Sequence, residues 1–372
     1  MKRYFETYVS NSVAGSANQL FFSADRPQTG RIFYKIACGG EYSYSLLFSN
    51  VIDSTFSDGS VSRRNRTCKA WTIHRAKIGK LNRNGIKKGF EEPEASDELN
   101  GNVTDLLPLT FEGKTEKTVE PGEFFASDPI KIHFDAGDYL CLETTVSGPE
   151  TPYHEETLLP AFVQTETGWK YERKTPCAGM IGCDRRVARR IGYLGDSITQ
   201  GCGTGRNAYE HWNAPLSERW GTENAYWNLG IGYGRADDMA TDGAWLYKAK
   251  QNDTVILCAG VNDLLRGFSA DEIIANLSRI IALLQEAGVR VILQTVPPFD
   301  YNEENTAKWR EVNRRIREEI APTVALLFDT VPILGRENEP QRSRYGGHPN
   351  AEGCRIWAEN LYAFLKEHGE IG

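Results

Sequence analysis

The sequence lacks several features that would place it in a specialised class of proteins. No run of about 18 apolar residues occurs, so no segment is predicted to span a membrane. No block of lysine and arginine occurs either, and the net charge is −7, which argues against nucleic acid as a partner. The N-terminus begins with Met1 and has no apolar core of a secretory signal. We therefore expect a cytoplasmic protein that binds neither nucleic acid nor membranes.

The eight cysteines lack the spacing of a metal site or a redox motif. None of them forms a C-x-x-C pair, and no histidines and cysteines have the spacing of zinc ligands. Cys177 and Cys183 are close enough in sequence to form a disulfide, but reduced thiols in a cytosolic protein are the simpler interpretation. We expect neither a metal nor another cofactor.

Length and composition are those of a globular protein with two domains. Hydrophobic residues make up 40% of the sequence and charged residues 25%, both ordinary values. A chain of 372 residues is long for a single domain. The pattern of apolar and polar residues changes near residue 180. We therefore predict domains at 1–180 and 181–372, with residues 175–190 as the linker.

The first domain is predicted to be all-β. Short apolar or alternating runs are separated by turn residues such as Gly39-Gly40 and Pro121-Gly122, a pattern typical of an antiparallel sandwich or jelly roll. The predicted strands are residues 31–36, 42–48, 70–74, 130–134 and 139–144. The polar stretch 82–100 is predicted to be a long surface loop.

The second domain is predicted to be α/β. Strands are predicted at residues 191–194, 225–229, 254–259, 289–295 and 324–328, and helices at 236–250, 269–286, 304–320 and 350–366. Ser269 and Glu272 have the spacing of a capping box at the start of one helix. Strands that alternate with helices indicate a parallel sheet covered on both faces.

A serine follows the first strand of this domain in the run Gly195-Asp196-Ser197. A strand that ends at Gly195 leaves Ser197 at the carboxyl edge of the sheet, where open α/β sheets bind ligands. Taken alone, the run also fits a helix start in which Asp196 or Ser197 is the capping residue.

Polar residues at the other strand ends support the first interpretation. A glycine-rich turn, residues 228–235, follows the second strand, and Asn262 follows the third. His348 lies in a loop after the fifth strand. One edge of the sheet would then hold a hydroxyl, backbone N–H groups, an amide and an imidazole, which is the set that acyl transfer requires.

The chain from residue 190 onwards resembles the SGNH, or GDSL-type, hydrolases, a superfamily of esterases, lipases and carbohydrate deacetylases. Three blocks in the family's order carry the resemblance: residues 195–201, 260–263 and 348–353. It implies a flavodoxin-like three-layer α/β/α fold, here preceded by the all-β, jelly-roll-like sandwich, and it implies the hydrolysis of carboxylic esters.

The resemblance also implies a role for each block. Ser197 is the nucleophile, and His348 transfers its proton. The oxyanion hole consists of the Ser197 backbone N–H, a backbone N–H of the glycine-rich turn and the Asn262 side chain. The turn's donor is Tyr233 if this sequence aligns with the family without a gap, and Gly234 if a gap is allowed.

This sequence departs from the family three residues before the histidine, where an aspartate is usual and Tyr345 stands. We therefore predict a Ser–His dyad, or a triad completed by a main-chain carbonyl of residues 344–346. Asp329, at the end of the fifth strand, is an outside candidate for the third member. Asp196 and Asp263 are predicted to hydrogen-bond loop backbone rather than to act as acids or bases.

The predicted substrate is an O-acetylated sugar or oligosaccharide. Residues 47–51 and 119–129 resemble segments of the β-sandwich modules that precede some bacterial SGNH esterases of carbohydrate esters. Tyr209, Trp212 and Tyr233 lie near the motif loops, where they could face a sugar or belong to the core. A lysophospholipase or thioesterase is the alternative within enzymes, and a glycan-binding protein with an inactive esterase domain is the alternative outside them. The sequence leaves a homo-oligomer open.

Overall fold

The computed structural model describes residues 9–15, 17–55, 63–82 and 96–371. The chain forms two compact units. The N-terminal unit comprises Lys2–Ala188 and Arg206–Ala208, and the C-terminal unit comprises Arg189–Gly205 and Tyr209–Gly372. The division therefore falls eight residues after the predicted boundary at residue 180.

The N-terminal unit consists almost entirely of strands. They are β1 (Val9–Ser10), β2 (Leu20–Lys35), β3 (Gly40–Ser49), β4 (Val51–Thr55), β5 (Arg63–Thr67), β6 (Trp71–Leu81), β7 (Thr104–Leu109), β8 (Lys117–Val119), β9 (Phe124–Ala126), β10 (Ile130–Phe134), β11 (Tyr139–Tyr153), β12 (Ala161–Thr165), β13 (Gly168–Tyr171) and β14 (Met180–Cys183). A short helix, α1 (Ser96–Gly101), lies between β6 and β7.

These strands form two antiparallel sheets and a two-stranded ribbon in the described part of the chain. One sheet has the order β1-β14-β3-β10, with β9 also on β3. The other has the order β13-β12-β2-β11-β6-β7, with β8 also on β6, and β4 pairs with β5. The predicted all-β fold of this region is confirmed.

Alternation of buried and exposed side chains produces these sheets. In β10, Ile132 and Phe134 are buried while Lys131 and His133 are exposed, which is the period of two that a strand imposes. The strands β2 and β11 pair from Leu20 opposite Tyr153 to Lys35 opposite Tyr139 and are far longer than predicted. Their outer portions were missed because turn-forming residues interrupt the sequence pattern, Asp25-Arg26-Pro27 in β2 and Gly148-Pro149 in β11.

Two predictions for this unit need correction. The segment 175–190 is not only a linker, because it contains β14, which pairs with β3 and β1. In the predicted loop 82–100, residues 83–95 lie outside the described residues, and the residues from Ser96 onwards are helical in α1.

The C-terminal unit alternates strands with helices. Its strands are β15 (Arg190–Gly195), β16 (Ala225–Gly230), β17 (Thr254–Cys258), β18 (Arg290–Gln294) and β19 (Leu326–Phe328). Its α-helices are α2 (Ser197–Gln200), α3 (Asn213–Trp220), α4 (Ala236–Met239), α5 (Ala244–Ala249), α6 (Val261–Leu265), α7 (Ala270–Glu286), α8 (Glu303–Arg315), α9 (Val331–Leu334) and α10 (Ala351–Glu367).

The five strands form one parallel sheet with the order β16-β15-β17-β18-β19. This order and the flanking helices confirm the predicted flavodoxin-like α/β/α domain. The chain leaves β15 toward β16 on one side and then crosses to β17 on the other. Such a switch point opens a crevice at the carboxyl edge, between the loops that follow β15, β16 and β17.

Of the four predicted helices, two need correction, and α2, α3, α6 and α9 were not predicted. Ser269 and Glu272 form the expected reciprocal capping box of α7. The predicted helix 236–250 is divided into α4 and α5, because Asp242 between them has a φ of +57°, which no right-handed helix contains. The predicted helix 304–320 ends in a π-helical turn, Ile316–Ile320, after α8.

The described residues bear on two expectations, one about membrane-spanning segments and one about disulfides. No helix among them is both long and apolar enough to cross a membrane. All eight cysteines have free thiols, Cys177 and Cys183 included.

Candidate active site

A tight turn places Ser197 at the carboxyl end of β15. The strand ends at Gly195, and Ser197 is the first residue of α2. Asp196 caps this helix, since its carboxylate accepts the Ile198 backbone N–H at 2.9 Å. A Cβ at Gly195 would collide with the Thr199 hydroxyl and the Cys258 carbonyl, so only glycine permits α2 to approach the sheet this closely.

His348 reaches this serine from a distant part of the chain. The distance between Ser197 Oγ and His348 Nε2 is 2.8 Å, a hydrogen bond between a hydroxyl and an imidazole. Burial lowers the pKa of His348 below its usual value of 6.5, which favours the neutral imidazole. A neutral Nε2 that accepts the serine hydroxyl is the arrangement by which a base activates a nucleophile.

A triad completed by a main-chain carbonyl, one of the two predicted arrangements, is not seen in the described residues. Within the described residues, the only hydrogen bond of the imidazole is the one to Ser197. The Gly346 carbonyl accepts the Ser343 hydroxyl, and the Tyr345 carbonyl accepts the Asn350 N–H at 3.1 Å. These carbonyls bond to their own loop and to the start of α10, and neither accepts a hydrogen bond from the imidazole. The geometry is that of the dyad, not of a triad completed by main chain.

Asp329 and Tyr345, the two side chains near in sequence that could orient His348, also make their contacts elsewhere. Asp329 forms an ion pair with Arg317 at 2.9 Å and accepts the Thr295 hydroxyl at 3.0 Å. Tyr345 packs on α10, where a Cβ at Gly353 would lie 2.5 Å from the Tyr345 Cβ. Neither side chain makes a hydrogen bond to His348 in the described structure.

Asn262 lies at the start of α6, directly after β17. Its Nδ2 donates a hydrogen bond to the Gly234 carbonyl at 2.9 Å, which fixes the amide beside the glycine-rich turn. A primary amide has two N–H donors, so this bond leaves the second one for another acceptor. The backbone N–H of Ser197 is likewise at the first position of a helix, where no acceptor exists within the helix.

The backbone of the glycine-rich turn discriminates between the two alignments. Tyr233 has a φ of +62°, in the left-handed region that glycine adopts without steric cost. Gly234 has no such φ, and its N–H donates to the Ile231 carbonyl at 3.0 Å. The backbone thus places Tyr233 where the resembling family has glycine, which favours the alignment without a gap.

The three aromatic residues near the motif loops differ in burial. Trp212 is completely buried and stacks on Trp357 with ring centroids 4.9 Å apart, so it belongs to the core. Tyr209 is half-buried. Tyr233 is 40% exposed, although it lies in the turn that Asn262 contacts. Of the three, Tyr233 is therefore the most exposed side chain.

Residues 193–356 match the GDSL-like Lipase/Acylhydrolase family model. This match spans all five strands from Tyr193 onwards and contains Ser197, Asn262 and His348. The C-terminal unit contains a GDSL-like lipase/acylhydrolase domain. It is a carboxylic ester hydrolase domain, and the N-terminal antiparallel sheets precede it.

A comparison with solved structures finds several that resemble all or part of this chain. An active-site mutant of a family two carbohydrate esterase from Clostridium thermocellum is 12% identical, with 97% of each chain covered and a TM-score of 0.39. The psychrotrophic esterase EstA from Pseudoalteromonas sp. is 20% identical over 48% of this chain and 96% of its own, with a TM-score of 0.38. A member of the lipolytic protein G-D-S-L family from Veillonella parvula DSM 2008 is 19% identical over 47% of this chain and 97% of its own, with a TM-score of 0.38.

At these identities and TM-scores, the matches say nothing about the substrate. A comparison with curated protein sequences finds no match.

Two buried aspartates hold the loops of the GDSL-like domain. Asp263 accepts the backbone N–H groups of Ala236 at 2.9 Å and Asp237 at 3.2 Å and so ties α6 to the start of α4. Burial raises the pKa of Asp263 to about 6 and that of Asp196 to about 7. The Asp196 Oδ2 has no hydrogen-bond partner among the described residues. Each aspartate bonds to backbone at the site, and neither bonds to Ser197 or His348.

Sequence reasoning missed two residues beside the GDSL-like site. Gln200 accepts the Gly232 N–H with its side-chain carbonyl and so joins α2 to the glycine-rich turn. Its place in the first motif block was a signal for such a role. Phe299 contacts the imidazole of His348, with ring centroids 5.1 Å apart and an angle of 84° between the rings. No feature of the sequence marked Phe299, because the contact joins segments that are far apart in the chain.

No metal site accompanies these residues in the described part of the chain, where no group of three or more histidine, cysteine, aspartate or glutamate side chains is placed to bind an ion.

Proposed function

We propose that this protein is a serine esterase that removes acetyl groups from carbohydrate esters. The observation that carries the proposal is the 2.8 Å hydrogen bond from Ser197 Oγ to the neutral Nε2 of His348, at the carboxyl edge of the sheet. This bond gives the hydroxyl a base, and a hydroxyl with a base is the minimal machinery for covalent acyl transfer.

In the proposed first step, Ser197 Oγ attacks the ester carbonyl carbon while its proton passes to His348 Nε2. The carbonyl oxygen becomes an oxyanion that accepts hydrogen bonds from the N–H groups of Ser197 and Tyr233 and from Asn262 Nδ2. The bond between the carbonyl carbon and the sugar oxygen then breaks, and His348 returns the proton to that oxygen. The products are the free hydroxyl of the sugar and an acetyl ester on Ser197.

Water completes the proposed reaction. His348 takes a proton from the water, whose oxygen attacks the acetyl carbon of the acyl-enzyme. The second tetrahedral intermediate collapses, Ser197 regains its proton from His348, and acetate leaves. Two side chains with acid–base and nucleophilic roles and one set of hydrogen-bond donors thus serve both halves of the cycle.

The exposed ring of Tyr233 supports a sugar as the substrate. An exposed aromatic ring beside a reaction centre offers a flat apolar surface with a polar tip, which suits the face of a pyranose. Large exposed hydrophobic side chains are few in the described residues, namely Leu107, Tyr233 and Leu265. This small number supports a short acyl group over a long alkyl chain, which requires a continuous apolar surface.

The test compares wild type with Ser197→Ala on p-nitrophenyl acetate, p-nitrophenyl decanoate and a panel of acetylated oligosaccharides. We expect Ser197→Ala to lose more than about 10³-fold in kcat. We also expect acetate release from the oligosaccharides and a preference for the acetyl over the decanoyl ester.

Each alternative has its own outcome in this test. Equal rates for wild type and Ser197→Ala would show that the domain has no esterase activity and would favour a glycan-binding protein. A clear preference for the decanoyl ester would favour a lysophospholipase or thioesterase. The Asn262→Ala variant adds a check on the oxyanion hole, since losing one donor typically costs about 10²–10³-fold in kcat.

A further inference from the structure

Only one of the two nitrogens of the His348 imidazole makes a hydrogen bond within the described residues. Its Nε2 bonds to Ser197, and no acceptor for its Nδ1 is found among the described residues. A side chain with a single hydrogen bond can rotate about its two χ angles. The contact that restrains the ring is the one with Phe299, at 5.1 Å between centroids and nearly perpendicular. Such an edge-to-face arrangement is a favoured geometry for two aromatic rings.

The segment that carries Phe299 is rigidly attached to α8. The backbone of Val296 donates to Asn313 Oδ1 at 2.8 Å, and its carbonyl accepts both Asn313 Nδ2 at 2.9 Å and Trp309 Nε1 at 2.8 Å. On the other side of Phe299, Tyr301 is buried and packs on Trp309. Phe299 is thus fixed at both flanks by residues of one helix.

The same segment is joined to the loop that carries His348. Asp300 accepts the Ser343 N–H at 3.0 Å, and its own N–H donates to the Gln341 carbonyl at 3.1 Å. At Gly347 an added Cβ would lie 3.3 Å from the Phe299 ring, closer than an ordinary van der Waals contact. The ring therefore lies against the backbone directly before His348 as well as against the imidazole itself.

We propose that Phe299 is a positioning residue that holds the imidazole of His348 in line with Ser197. No carboxylate among the described residues performs this role. The inference rests on the proposed esterase function. A packed ring restrains both χ angles of the histidine by contact and so supplies the orientation that a hydrogen bond to Nδ1 would otherwise supply. Small losses of orientation at a base reduce the rate strongly, because proton transfer requires a short and directed contact.

The test uses three substitutions at one position and one control. We expect Phe299→Ala to lower kcat about 10–100-fold. KM should stay within about twofold, since the ring acts on the chemical step and not on binding. Phe299→Leu, which keeps volume but not the ring, should lose nearly as much, and Phe299→Tyr should restore most of the activity.

Phe364→Ala is the matched control. Phe364 also packs on a histidine, His368, with ring centroids 4.2 Å apart, and it is half-buried in the same unit. Its loss should affect stability as the loss of Phe299 does, without changing kcat. A kcat reduced equally by both substitutions would overturn the proposal, because the effect would then be one of stability alone.

A second readout observes the imidazole directly. Nitrogen-15 NMR of histidine-labelled protein should show His348 with its proton on Nδ1 in wild type and a mixture of tautomers in Phe299→Ala. Removal of the ring also exposes the imidazole to water, so its pKa should rise and the acid limb of kcat/KM should move to higher pH. Asp196, Cys202, Asp300 and Tyr345 are the titratable groups on the segments around the imidazole, and all are unchanged in these variants.

The outcomes separate this proposal from the proposed function. Equal activity of wild type and Ser197→Ala would refute the esterase, whereas the tautomer comparison would still show whether Phe299 orients His348. An active wild type whose kcat and tautomer both survive Phe299→Ala would refute the positioning role and leave the esterase intact.

Discussion

Ser197 and His348 are 151 residues apart in sequence and 2.8 Å apart at their reacting atoms. A serine hydroxyl is a weak nucleophile unless a base removes its proton. The imidazole that fills this place is partly withdrawn from water, and no carboxylate adjusts its pKa upward. The absence of that carboxylate within the described residues determines how the activity of this pair should depend on pH.

The pH dependence of kcat/KM should reflect the lowered pKa of His348. The base must be neutral, and burial keeps it neutral to a lower pH than a free histidine. The acid limb should therefore have its midpoint below about pH 6.5, with full activity above it. The measurement is kcat/KM for p-nitrophenyl acetate from about pH 4.5 to about pH 8.5.

Asp196 also has a raised pKa near this range, at about 7, so Asp196→Asn is the necessary control. The acid limb should remain in that variant. A midpoint above 6.5 would show that a negative charge not seen in the structure acts on His348.

Elements meet at this site through close backbone approaches. The segment after α2 contacts the segment before α10 at Gly203, which has a φ of +98°. A Cβ there would lie 2.7 Å from the His348 carbonyl oxygen and 2.8 Å from that of Pro349. One short helix therefore sets the position of the nucleophile, and the turn that follows it sets the position of the base.

Gly203→Ala should therefore lower kcat as well as stability. The alanine must push the His348 backbone away, and a displacement of about 1 Å at a catalytic group can cost about 10²-fold in rate. We expect a loss of kcat of about 10-fold or more in steady-state kinetics with p-nitrophenyl acetate.

Gly288→Ala is the control for the strain of an alanine at positive φ, because Gly288 has a φ of +80° but open space around it. Gly288→Ala should lose about 1 kcal/mol of stability, from its φ alone, and keep its kcat. A Gly203→Ala variant with the kcat of wild type would show that the two segments move independently.

At the scale of the whole molecule, the two units have different kinds of core. The N-terminal unit buries aromatic and aliphatic residues between antiparallel strands, and the C-terminal unit covers a parallel sheet with helices. The second core also contains Asp196 and Asp263, whose complete burial outweighs their backbone hydrogen bonds and, for Asp263, the nearby charge of Arg235. Buried carboxyl groups favour their protonated forms, which links the stability of this unit to pH.

Folding should bind protons at these groups. Their pKa values of about 7 and about 6 in the folded state exceed the value of about 3.9 in an unfolded chain. Their contribution to stability is therefore full at low pH and is lost as pH rises through the folded pKa values. Asp196→Asn, which imitates the protonated acid, should raise Tm by several degrees at about pH 8 and by little at about pH 5.

Tryptophan fluorescence is the suitable probe, since six of the eight tryptophans lie in the C-terminal unit. Asp329→Asn serves as the control, because Asp329 is partly exposed and paired with Arg317. That variant should show no gain in Tm at high pH and should keep its kcat within a few-fold. A Tm difference between wild type and Asp196→Asn that does not change with pH would contradict the raised pKa.

The sequence alone determined the fold class and the chemistry of the strand ends. Alternating strands and helices predicted the parallel sheet, and residues after parallel strands must meet at one edge. Ser197, Asn262 and His348 could be named for that reason. The predictions failed where turn-forming residues lie inside a strand, as Pro27 does in β2, and where a single φ divides a helix, as at Asp242.

Only the tertiary structure shows the backbone conformation of the glycine-rich turn and the aromatic ring that contacts the base. The first depends on the φ of Tyr233, a backbone angle that the residue type would not suggest. The second depends on the contact between Phe299 and His348, which belong to loops 49 residues apart in sequence. Contacts of this kind leave no periodicity or spacing in a sequence, because they form only when separate elements have packed.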